Sequence, residues 1–300
     1  MTIIRNVQLP LGNDSSLFVE LRLPPFARSL LIVCHGICEH SGRYLGLLES
    51  LSERGIGSVR FDLRGHGRST GSRGHIDRFD LYLEDLDSVV RWATSQCVCD
   101  HGALPTFLLG HSMGGVIVSR YLQQFGSEGC RGLILSSPGF RASVEIPSYK
   151  RALLRLLLPW MPGLRLPTGI PVEGLTSDLG EQRRYREDTQ IGSRVSLRWY
   201  VEFTREGARA LERAPALTLP IYAFCGSEDK VVRPDAVRQF VESTLSSDKT
   251  FKIWDGLRHE PLNERLPERD AVTQSVAAWI TSRGIRASET DLERRRIESE

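Results

Sequence analysis

The stretch Thr106-Phe-Leu-Leu-Gly-His-Ser-Met-Gly-Gly115 carries a serine, Ser112, between two glycines in a Gly-x-Ser-x-Gly pattern. An apolar run that predicts a buried strand leads into this pattern, and a helix candidate at Val116–Phe125 follows directly. A nucleophile at a sharp strand-to-helix turn needs small flanking residues, because a Cβ there would clash. The helix start also offers the N–H of Met113 to an oxyanion. We therefore predict a catalytic Ser112, and an incidental serine in a glycine-rich turn is the alternative.

A serine nucleophile requires a base, and the chain offers one candidate. His259 is the only one of the seven histidines that follows Ser112, and it comes just after a predicted strand. In folds that hold a nucleophilic serine between a strand and a helix, the acid comes between the serine and the histidine in chain order. Asp229 follows the apolar run Ile221–Cys225 and is the predicted acid, with Glu228 as its rival. Its role would be to fix the imidazole tautomer and stabilise the imidazolium.

The second oxyanion donor is expected in the loop after the predicted strand Ser29–Cys34. Gly36 lets the backbone approach the nucleophile, and the N–H of Ile37 is predicted to point inward. His35 and His111 are additional histidines near these loops. We predict that each supports its loop through ring hydrogen bonds and takes no part in proton transfer.

The wider pattern predicts the fold. Apolar runs that favour strands buried on both faces of a parallel sheet lie at Ser29–Cys34, Gly57–Phe61, Thr106–Leu109, Gly132–Ser136, Ile221–Cys225 and Thr250–Ile253. Two earlier runs, Ile3–Leu9 and Leu17–Leu23, flank a turn-like segment and predict a hairpin. Helical periodicity at Phe79–Thr94 and Ala271–Ile280 fills gaps between strands. The alternation predicts an α/β fold: a mostly parallel eight-stranded sheet with helices on both faces.

One long interval has no convincing strand and is interrupted by prolines. An interval of this length is not a plain loop in a compact domain. We therefore predict a helical cap insertion at residues 141–214, within a core domain formed by residues 1–140 and 215–283. The charged segment 284–300 lacks a wide apolar face and is predicted to be disordered.

The predicted insertion contains a leucine-rich run that is too apolar for a solvated surface. We predict that Leu153, Leu157 and Leu158 line an acyl pocket above the nucleophile. Another face of the run is expected to touch membranes or lipid aggregates. Packing of these leucines on the helices of the core domain is the simpler alternative, and the two roles are compatible.

Composition excludes several classes of protein. The chain of 300 residues is 40% hydrophobic and 25% charged, with a net charge of +2, which argues against a nucleic-acid partner. Neither a signal peptide nor a run of the roughly 18 to 20 apolar residues that a membrane span needs is recognisable. The six cysteines are expected to be reduced thiols of a cytoplasmic protein. The pair Cys97-Val-Cys99 lacks a second half with metal-ligand spacing, so no metal site is predicted.

Five motifs in this order resemble the monoacylglycerol lipase and lysophospholipase group of the α/β-hydrolases. They are His35-Gly-Ile-Cys-Glu-His-Ser-Gly-Arg-Tyr44, Phe61-Asp-Leu-Arg-Gly-His-Gly-Arg-Ser69, Gly110-His-Ser-Met-Gly-Gly115, Gly226-Ser-Glu-Asp229 and His259-Glu. The resemblance spans about residues 20–282, including the insertion. It implies the α/β-hydrolase fold and a lipase or esterase for lipids with one acyl chain, without metal or organic cofactor. By matching motif, Ser112, Asp229 and His259 form the triad, and Ile37 and Met113 supply the oxyanion amides.

Several alternatives stay open at this point. Glu39, His40 and Arg43 either bind the leaving alcohol or form an internal ion-pair cluster, and the loop Asp62–Ser69 is expected to be structural. The same triad also serves short-chain carboxylesterases, carbon–carbon bond hydrolases and peptidases, and the scaffold also serves non-catalytic ligand receptors. Acyl length, head group and oligomeric state are not predicted.

Overall fold

The structure is a computed structural model that describes residues 1–12, 14–99, 102–144 and 147–284. Within these residues the strands are β1 (Ile3–Gly12), β2 (Ser15–Leu23), β3 (Ser29–Cys34), β4 (Ile56–Phe61), β5 (Val98–Cys99), β6 (Gly102–Ala103), β7 (Thr106–His111), β8 (Cys130–Ser136), β9 (Arg165–Pro167), β10 (Arg194–Ser196), β11 (Ile221–Gly226) and β12 (Lys249–Trp254). The helices are α1 (Leu45–Ser52), α2 (Asp80–Gln96), α3 (Met113–Phe125), α4 (Ser148–Leu157), α5 (Leu179–Glu187), α6 (Leu197–Glu212), α7 (Pro234–Ser243) and α8 (Glu268–Arg283). Apart from Gly284, the segment predicted to be disordered lies outside the described residues.

The main sheet of the described residues has eight strands in the order β1-β2-β4-β3-β7-β8-β11-β12. β1 and β2 form the predicted antiparallel hairpin, and β2 also pairs antiparallel with β4. The remaining pairings in this sheet are parallel. The predicted α/β fold with a mostly parallel eight-stranded sheet is therefore confirmed. Because the parallel strands run in one direction, the loops after β3, β7, β11 and β12 meet at the carboxyl edge of the sheet.

Helices cover both faces of the sheet, as its continuous apolar strands require. Successive residues of a strand point to opposite faces. Leu30 and Ile32 of β3 accordingly belong to the buried cluster that includes residues of α2, α3 and α7. Leu31 and Val33 belong to the buried cluster that includes residues of α1 and α8. The sheet is thus a rigid base for the loops at its carboxyl edge.

Strand β12 corrects one prediction. The run Thr250–Ile253 was expected to be buried on both faces, yet Ile253 is 42% exposed and Lys252 is also exposed. The reason is position: β12 ends the sheet and pairs there with β11. Lysine on an edge strand discourages pairing with another chain.

The interval predicted as a helical insertion holds α4, α5 and α6 and also the strands β9 and β10, which pair with each other antiparallel. The prediction of no strand there was wrong, because three-residue strands are too short to show a period of two. A buried ion pair between Arg120 of α3 and Glu206 of α6 (2.8 Å) fixes the end of this interval to the core. The division at residues 141–214 into a cap stays a prediction. No helix in the described ranges is long and apolar enough to cross a membrane.

Candidate active site

Ser112 occupies the sharp turn between β7 and α3. Its backbone angles, φ 51° and ψ −115°, are strained for a residue with a side chain. A Cβ at Gly114 would lie 2.1 Å from the carbonyl oxygen of Cys34, and one at Gly110 would lie 2.4 Å from the carbonyl oxygen of Gly114. The two flanking glycines are therefore required by the close approach of β3, β7 and α3. The turn presents Ser112 above the carboxyl edge of the sheet.

Asp229 and His259 come from the loops after β11 and β12. The distance from His259 Nδ1 to Asp229 Oδ2 is 2.9 Å, and both side chains are buried. The other carboxylate oxygen of Asp229 accepts hydrogen bonds from the backbone N–H groups of Val231 (2.8 Å) and Val232 (3.0 Å). Of the two carboxylates considered from the sequence, Asp229 contacts the imidazole, whereas Glu228 is exposed.

The electrostatics of this pair suit an acid and a base. Burial alone would raise the pKa of Asp229, but the charge of His259 and the hydrogen bonds hold that pKa below its ordinary value. Burial alone would lower the pKa of His259, but the charge and hydrogen bond of Asp229, followed by the charges of Glu260 and Glu39, raise it. The site therefore stabilises the imidazolium form of His259.

The backbone next to Ser112 is arranged as the predicted oxyanion site requires. Met113 is the first residue of α3, and N–H groups in a first helical turn have no intrahelical acceptor. Ile37 lines the same small cavity as Ser112 and His259. A Cβ at Gly36 would lie 3.3 Å from the Cβ of Ser112, so the loop passes close to the nucleophile. The structure thus brings together the five residues predicted for the triad and the amides; their catalytic roles stay a proposal.

His35 and His111 make the supporting contacts expected of them. His35 accepts a backbone N–H at Nε2 (2.9 Å) and donates from Nδ1 to a backbone carbonyl (2.7 Å). His111 Nδ1 lies 3.1 Å from the hydroxyl of Ser136, and its ring lies 4.9 Å from that of His259. Burial lowers the pKa of each ring to about 4. Both histidines are therefore neutral near pH 7.

A buried ion-pair network joins the loop after β3, which contains Gly36 and Ile37 and is named the oxyanion loop for its predicted role, to the loop of His259. Arg43 donates two hydrogen bonds to Glu260 (2.6 and 2.7 Å) and lies 3.3 Å from Glu39. Glu39 in turn accepts from the N–H of Gly36 (2.5 Å) and the hydroxyl of Tyr44 (2.8 Å). These contacts favour the internal-cluster interpretation of this motif. Two carboxylates against one guanidinium leave one negative charge beside the imidazole.

The loop Asp62–Ser69 is structural, as expected. One carboxylate oxygen of Asp62 accepts from the N–H (2.9 Å) and hydroxyl (2.6 Å) of Ser41. The other accepts from the N–H of Arg68 (2.8 Å). Asp62 therefore fixes this loop to the segment that continues from the oxyanion loop.

Three residues of the interval 141–214 also line the cavity: Ile170, Leu175 and Tyr185. Sequence reasoning missed them, because Ile170 and Leu175 lie in a proline-rich stretch without periodicity and Tyr185 lies on a short charged helix. The predicted acyl-pocket residues Leu153, Leu157 and Leu158 lie on or next to α4, a helix without a buried residue, and do not line this cavity. Their contact with substrate stays a prediction.

The segment that contains Ile170, Leu175 and Tyr185 is hydrogen-bonded to the oxyanion loop and to the loop of His259. Glu264, beyond His259, accepts from the N–H (2.9 Å) and hydroxyl (2.5 Å) of Ser177. The N–H of Glu260 donates to the carbonyl of Leu175 (2.8 Å). On the other side, His40 Nε2 lies 2.7 Å from Asp188 Oδ2. The oxyanion loop, the loop of His259 and residues 170–188 therefore form one hydrogen-bonded unit around Ser112.

Comparison with known proteins shows the family to which the chain belongs. A family model described as serine aminopeptidase, S33, matches residues 26–266. The chain belongs to this family. It is 31% identical to a monoacylglycerol lipase of Mycolicibacterium smegmatis, over 85% of this chain and 89% of that one. It is 30% identical to phospholipase YtpA of Bacillus subtilis, over 84% of this chain and 94% of that one.

Among solved structures, a monoacylglycerol lipase of Paleococcus ferrophilus is 29% identical and superposes with a TM-score of 0.80, over 89% of this chain and 99% of that chain. A soluble variant of monoglyceride lipase from Saccharomyces cerevisiae, in complex with a substrate analogue, has a TM-score of 0.83 at 23% identity, over 95% of this chain and 96% of that one. The predicted α/β-hydrolase fold and the predicted resemblance to the monoacylglycerol lipase group are confirmed.

Proposed function

We propose that this S33-family hydrolase cleaves the carboxylic esters of lipids with one acyl chain, such as a monoacylglycerol or a lysophospholipid. One observation carries the proposal: Ser112, in a strained turn, shares a small cavity with Ile37 and with His259, which Asp229 holds. The relatives named as monoacylglycerol lipase and phospholipase support an acyl-lipid substrate.

In this mechanism His259 takes the proton of Ser112 as the hydroxyl oxygen attacks the ester carbonyl carbon. The resulting imidazolium returns that proton to the leaving alcohol as the carbon–oxygen bond breaks, which leaves an acyl-enzyme. His259 then activates a water molecule that releases the fatty acid and restores the serine. Asp229 holds the imidazole in one tautomer throughout.

The tetrahedral intermediate carries a negative oxygen, which the N–H groups of Ile37 and Met113 stabilise in this proposal. One such donor contributes about 3 to 4 kcal/mol in related sites. The imidazolium formed in the same step faces Asp229, and the net negative charge of the Glu39–Arg43–Glu260 network lies behind it. Both charges of the transition state thus meet fixed partners of opposite sign.

The test uses monoacylglycerols and nitrophenyl esters with acyl chains of two to eighteen carbons. We expect Ser112→Ala to lose at least about 10⁴-fold in kcat, as other serine hydrolases do, and a fluorophosphonate to label Ser112 once per chain. Ser119→Ala is the matched control, because Ser119 lies on the same helix and its hydroxyl donates to the carbonyl of Gly115 (2.7 Å). A Ser112→Ala protein that still hydrolyses esters would contradict the mechanism.

A second candidate, a short-chain carboxylesterase, is favoured by the size of the cavity. The space at Ser112 that a water-sized sphere can occupy is only about 20 Å³, far below the roughly 300 to 1,000 Å³ of ligand sites in proteins. The acyl series separates the two candidates. A maximum at medium or long monoacylglycerols supports the lipase, whereas activity confined to acetate and butyrate esters supports the esterase.

Peptide or carbon–carbon bond cleavage is the alternative that the family description keeps open. An aminopeptidase needs a carboxylate to bind the substrate ammonium, but Glu39 and Glu260 are both paired with Arg43. We therefore expect prolyl amides and vinylogous diketones to be poor substrates. Thermal stabilisation by lipid without any turnover would instead indicate a non-catalytic receptor.

The proposal includes contact between α4 and a membrane or lipid aggregate. Tyr149, Leu153 and Leu156 follow at spacings of four and three residues, which places them on one face of α4, and Trp160 lies in the turn directly after this helix. They are 69%, 53%, 69% and 83% exposed. Such a row of exposed apolar side chains is typical of a helix that lies in a membrane interface. A substrate dissolved in lipid would then be taken up from that interface.

A cytoplasmic location remains part of the proposal. The five cysteines whose side chains are described, Cys34, Cys38, Cys97, Cys130 and Cys225, are all free thiols. Unpaired thiols are typical of a reducing compartment. Localisation of a tagged chain in its host would test this point.

A further inference from the structure

Two arginines lie on the small two-stranded sheet of β9 and β10, here named the β9–β10 sheet. Arg165 pairs opposite Ser196, and Arg194 pairs opposite Pro167, so both arginines lie on the same face of this sheet. Both are exposed, whereas Leu166 of β9 packs against the core. The β9–β10 sheet therefore presents two cationic side chains to solvent.

A third arginine extends this cationic surface onto the core. Arg194 donates to the backbone carbonyl of Arg165 (3.1 Å), and Arg165 donates to the carbonyl of Arg73. Arg73, which is also exposed, donates to the carbonyl of Gly67 (2.6 Å). In the described part of the chain, none of the three forms an ion pair with a carboxylate. The acid on the neighbouring loop, Asp77, lies 3.2 Å from His75.

These three arginines, Arg73, Arg165 and Arg194, form a chain of contacts that we name the arginine row. A guanidinium has five N–H donors, and each contact above uses one of them. The remaining donors suit the planar, two-point hydrogen bonding that phosphate and carboxylate groups accept. The row therefore fits a partner that presents several anionic oxygens.

The carboxyl end of α4 is joined to the β9–β10 sheet. The turn after α4 runs from Met161 to Leu164 directly into β9. Leu197, which follows β10, donates from its N–H to the carbonyl of Leu164 (2.8 Å), and Arg198 donates to the carbonyl of Pro162 (3.0 Å). This end of α4 is thus fixed to the sheet that carries two of the arginines.

We propose that the arginine row binds the phosphate groups of an anionic phospholipid bilayer while the apolar face of α4 enters its interface. This inference rests on the membrane contact in the proposed function and adds the charge of the lipid. The apolar neighbour favours a bilayer over a soluble polyanion, because a nucleic acid or an acidic protein segment gives Leu156 and Trp160 nothing apolar to contact.

The experiment measures co-sedimentation of the full chain with vesicles of phosphatidylcholine alone and of phosphatidylcholine with one third phosphatidylglycerol. Each cation near an anionic surface raises the partition by about fivefold. We therefore expect Arg165→Gln/Arg194→Gln to lower binding to the anionic vesicles by about 25-fold. Arg165→Lys/Arg194→Lys keeps the charge but not the planar donors, so it should lose less binding than the glutamine variant but bind less than wild type.

The matched control is Arg28→Gln/Arg131→Gln, which removes two exposed arginines at the amino ends of β3 and β8, the opposite edge of the sheet from Ser112. Thermal unfolding checks that each variant is folded. The proposal is overturned if wild type binds both kinds of vesicle equally. It is also overturned if the control loses as much binding as Arg165→Gln/Arg194→Gln, or if the protein binds heparin in preference to anionic vesicles. Absence of binding to either vesicle would contradict membrane contact as well. Hydrolysis of a dissolved nitrophenyl ester then shows whether the esterase proposal stands independently.

Discussion

Two segments of the interval 141–214, α4 and residues 170–188, differ in how they are attached. The segment from Ile170 to Asp188, the anchored segment, is hydrogen-bonded to the oxyanion loop and to the loop of His259. α4 has no buried residue and carries a row of exposed apolar side chains. The anchored segment, which has more polar and charged residues, therefore lines the cavity, and the more apolar α4 is exposed. Apolar composition alone is a poor guide to the location of a substrate site.

The reason lies in the cost of unpaired polar groups. A loop that closes a buried site must give its backbone groups partners. In the anchored segment, the N–H of Ser177 donates to Glu264 and the N–H of Gly180 donates to Asp178. A helix satisfies its own backbone and can remain at the surface with few contacts. Each prediction below tests whether catalysis depends on the anchored segment and membrane binding on α4.

Outside the proposed triad, the largest effect is expected for Glu264→Ala. Glu264 is fully buried and holds Ser177, while its other oxygen accepts the N–H of Arg258 (2.9 Å), next to His259. Loss of these charge-assisted hydrogen bonds should lower the free energy of unfolding by about 3 kcal/mol. Because the loop of His259 loses its support, kcat/KM should fall about 100-fold, the order expected for a misplaced catalytic group.

Urea unfolding and hydrolysis of a dissolved nitrophenyl ester measure these two quantities. Glu187→Ala is the control, since Glu187 lies on α5 of the same segment but is exposed. Equal effects of the two substitutions would show that the anchoring contacts do not matter for catalysis.

A smaller effect is expected for Tyr185→Ala. Tyr185 lines the cavity, and its ring lies 4.9 Å from the guanidinium carbon of Arg43. Loss of the ring removes one wall and a cation–π contact of about 1 to 2 kcal/mol, so kcat/KM should fall about tenfold. Tyr185→Phe keeps the ring and should retain most activity. If Tyr185→Phe is as impaired as Tyr185→Ala, the hydroxyl and not the wall is the important feature.

Glu260→Gln tests the charge behind His259. Only the neutral imidazole accepts the proton of Ser112, so kcat/KM falls as pH drops through the pKa of His259, which lies above its ordinary value. Besides Asp229, Glu260 and Glu39 add negative charge around this ring, and Arg43, which pairs with both glutamates, carries the positive charge of the cluster. Removing one negative charge destabilises the imidazolium and lowers the pKa of His259. The acid limb of the pH profile should therefore move to lower pH.

The same substitution leaves Arg43 with one carboxylate in place of two, so kcat should also fall a few-fold, about 1 kcal/mol in activation free energy. Glu228→Gln is the control, because Glu228 is exposed near the same loops. An acid limb that moves to higher pH, or one that moves equally in both variants, would contradict the assigned role of Glu260.

The sequence predicted the core of the site better than its walls. Strand β3 was predicted with its observed bounds, and Ser112, Asp229 and His259 follow β7, β11 and β12 as expected. Long apolar runs and a glycine-flanked turn are local patterns, so they can be recognised from the sequence alone. Ile170, Leu175 and Tyr185 carry no such signal, because their place depends on side-chain contacts between distant loops. The sequence predicted one lipid-facing side of the leucine-rich run but not that α4 has no buried residue, since such a helix has the same sequence whether it packs inward or faces a membrane.

The smallest effect on folding is expected for Leu156→Ser/Trp160→Ser. Both side chains are largely exposed, so the free energy of unfolding should stay within about 0.5 kcal/mol of wild type. Binding to vesicles should nonetheless weaken, because burial of two large apolar side chains in the interface contributes about 1.5 to 3 kcal/mol each.

The informative quantity is the ratio between hydrolysis of a monoacylglycerol in vesicles and hydrolysis of a dissolved ester, measured on the same preparation. If α4 is the docking face, this ratio falls for the double variant, whereas for Glu264→Ala both activities fall together and the ratio is unchanged. A double variant that loses stability instead would show that α4 packs against another part of the protein. In that case α4 and the anchored segment would share one structural role, and lipid would have to reach Ser112 from another face of the protein.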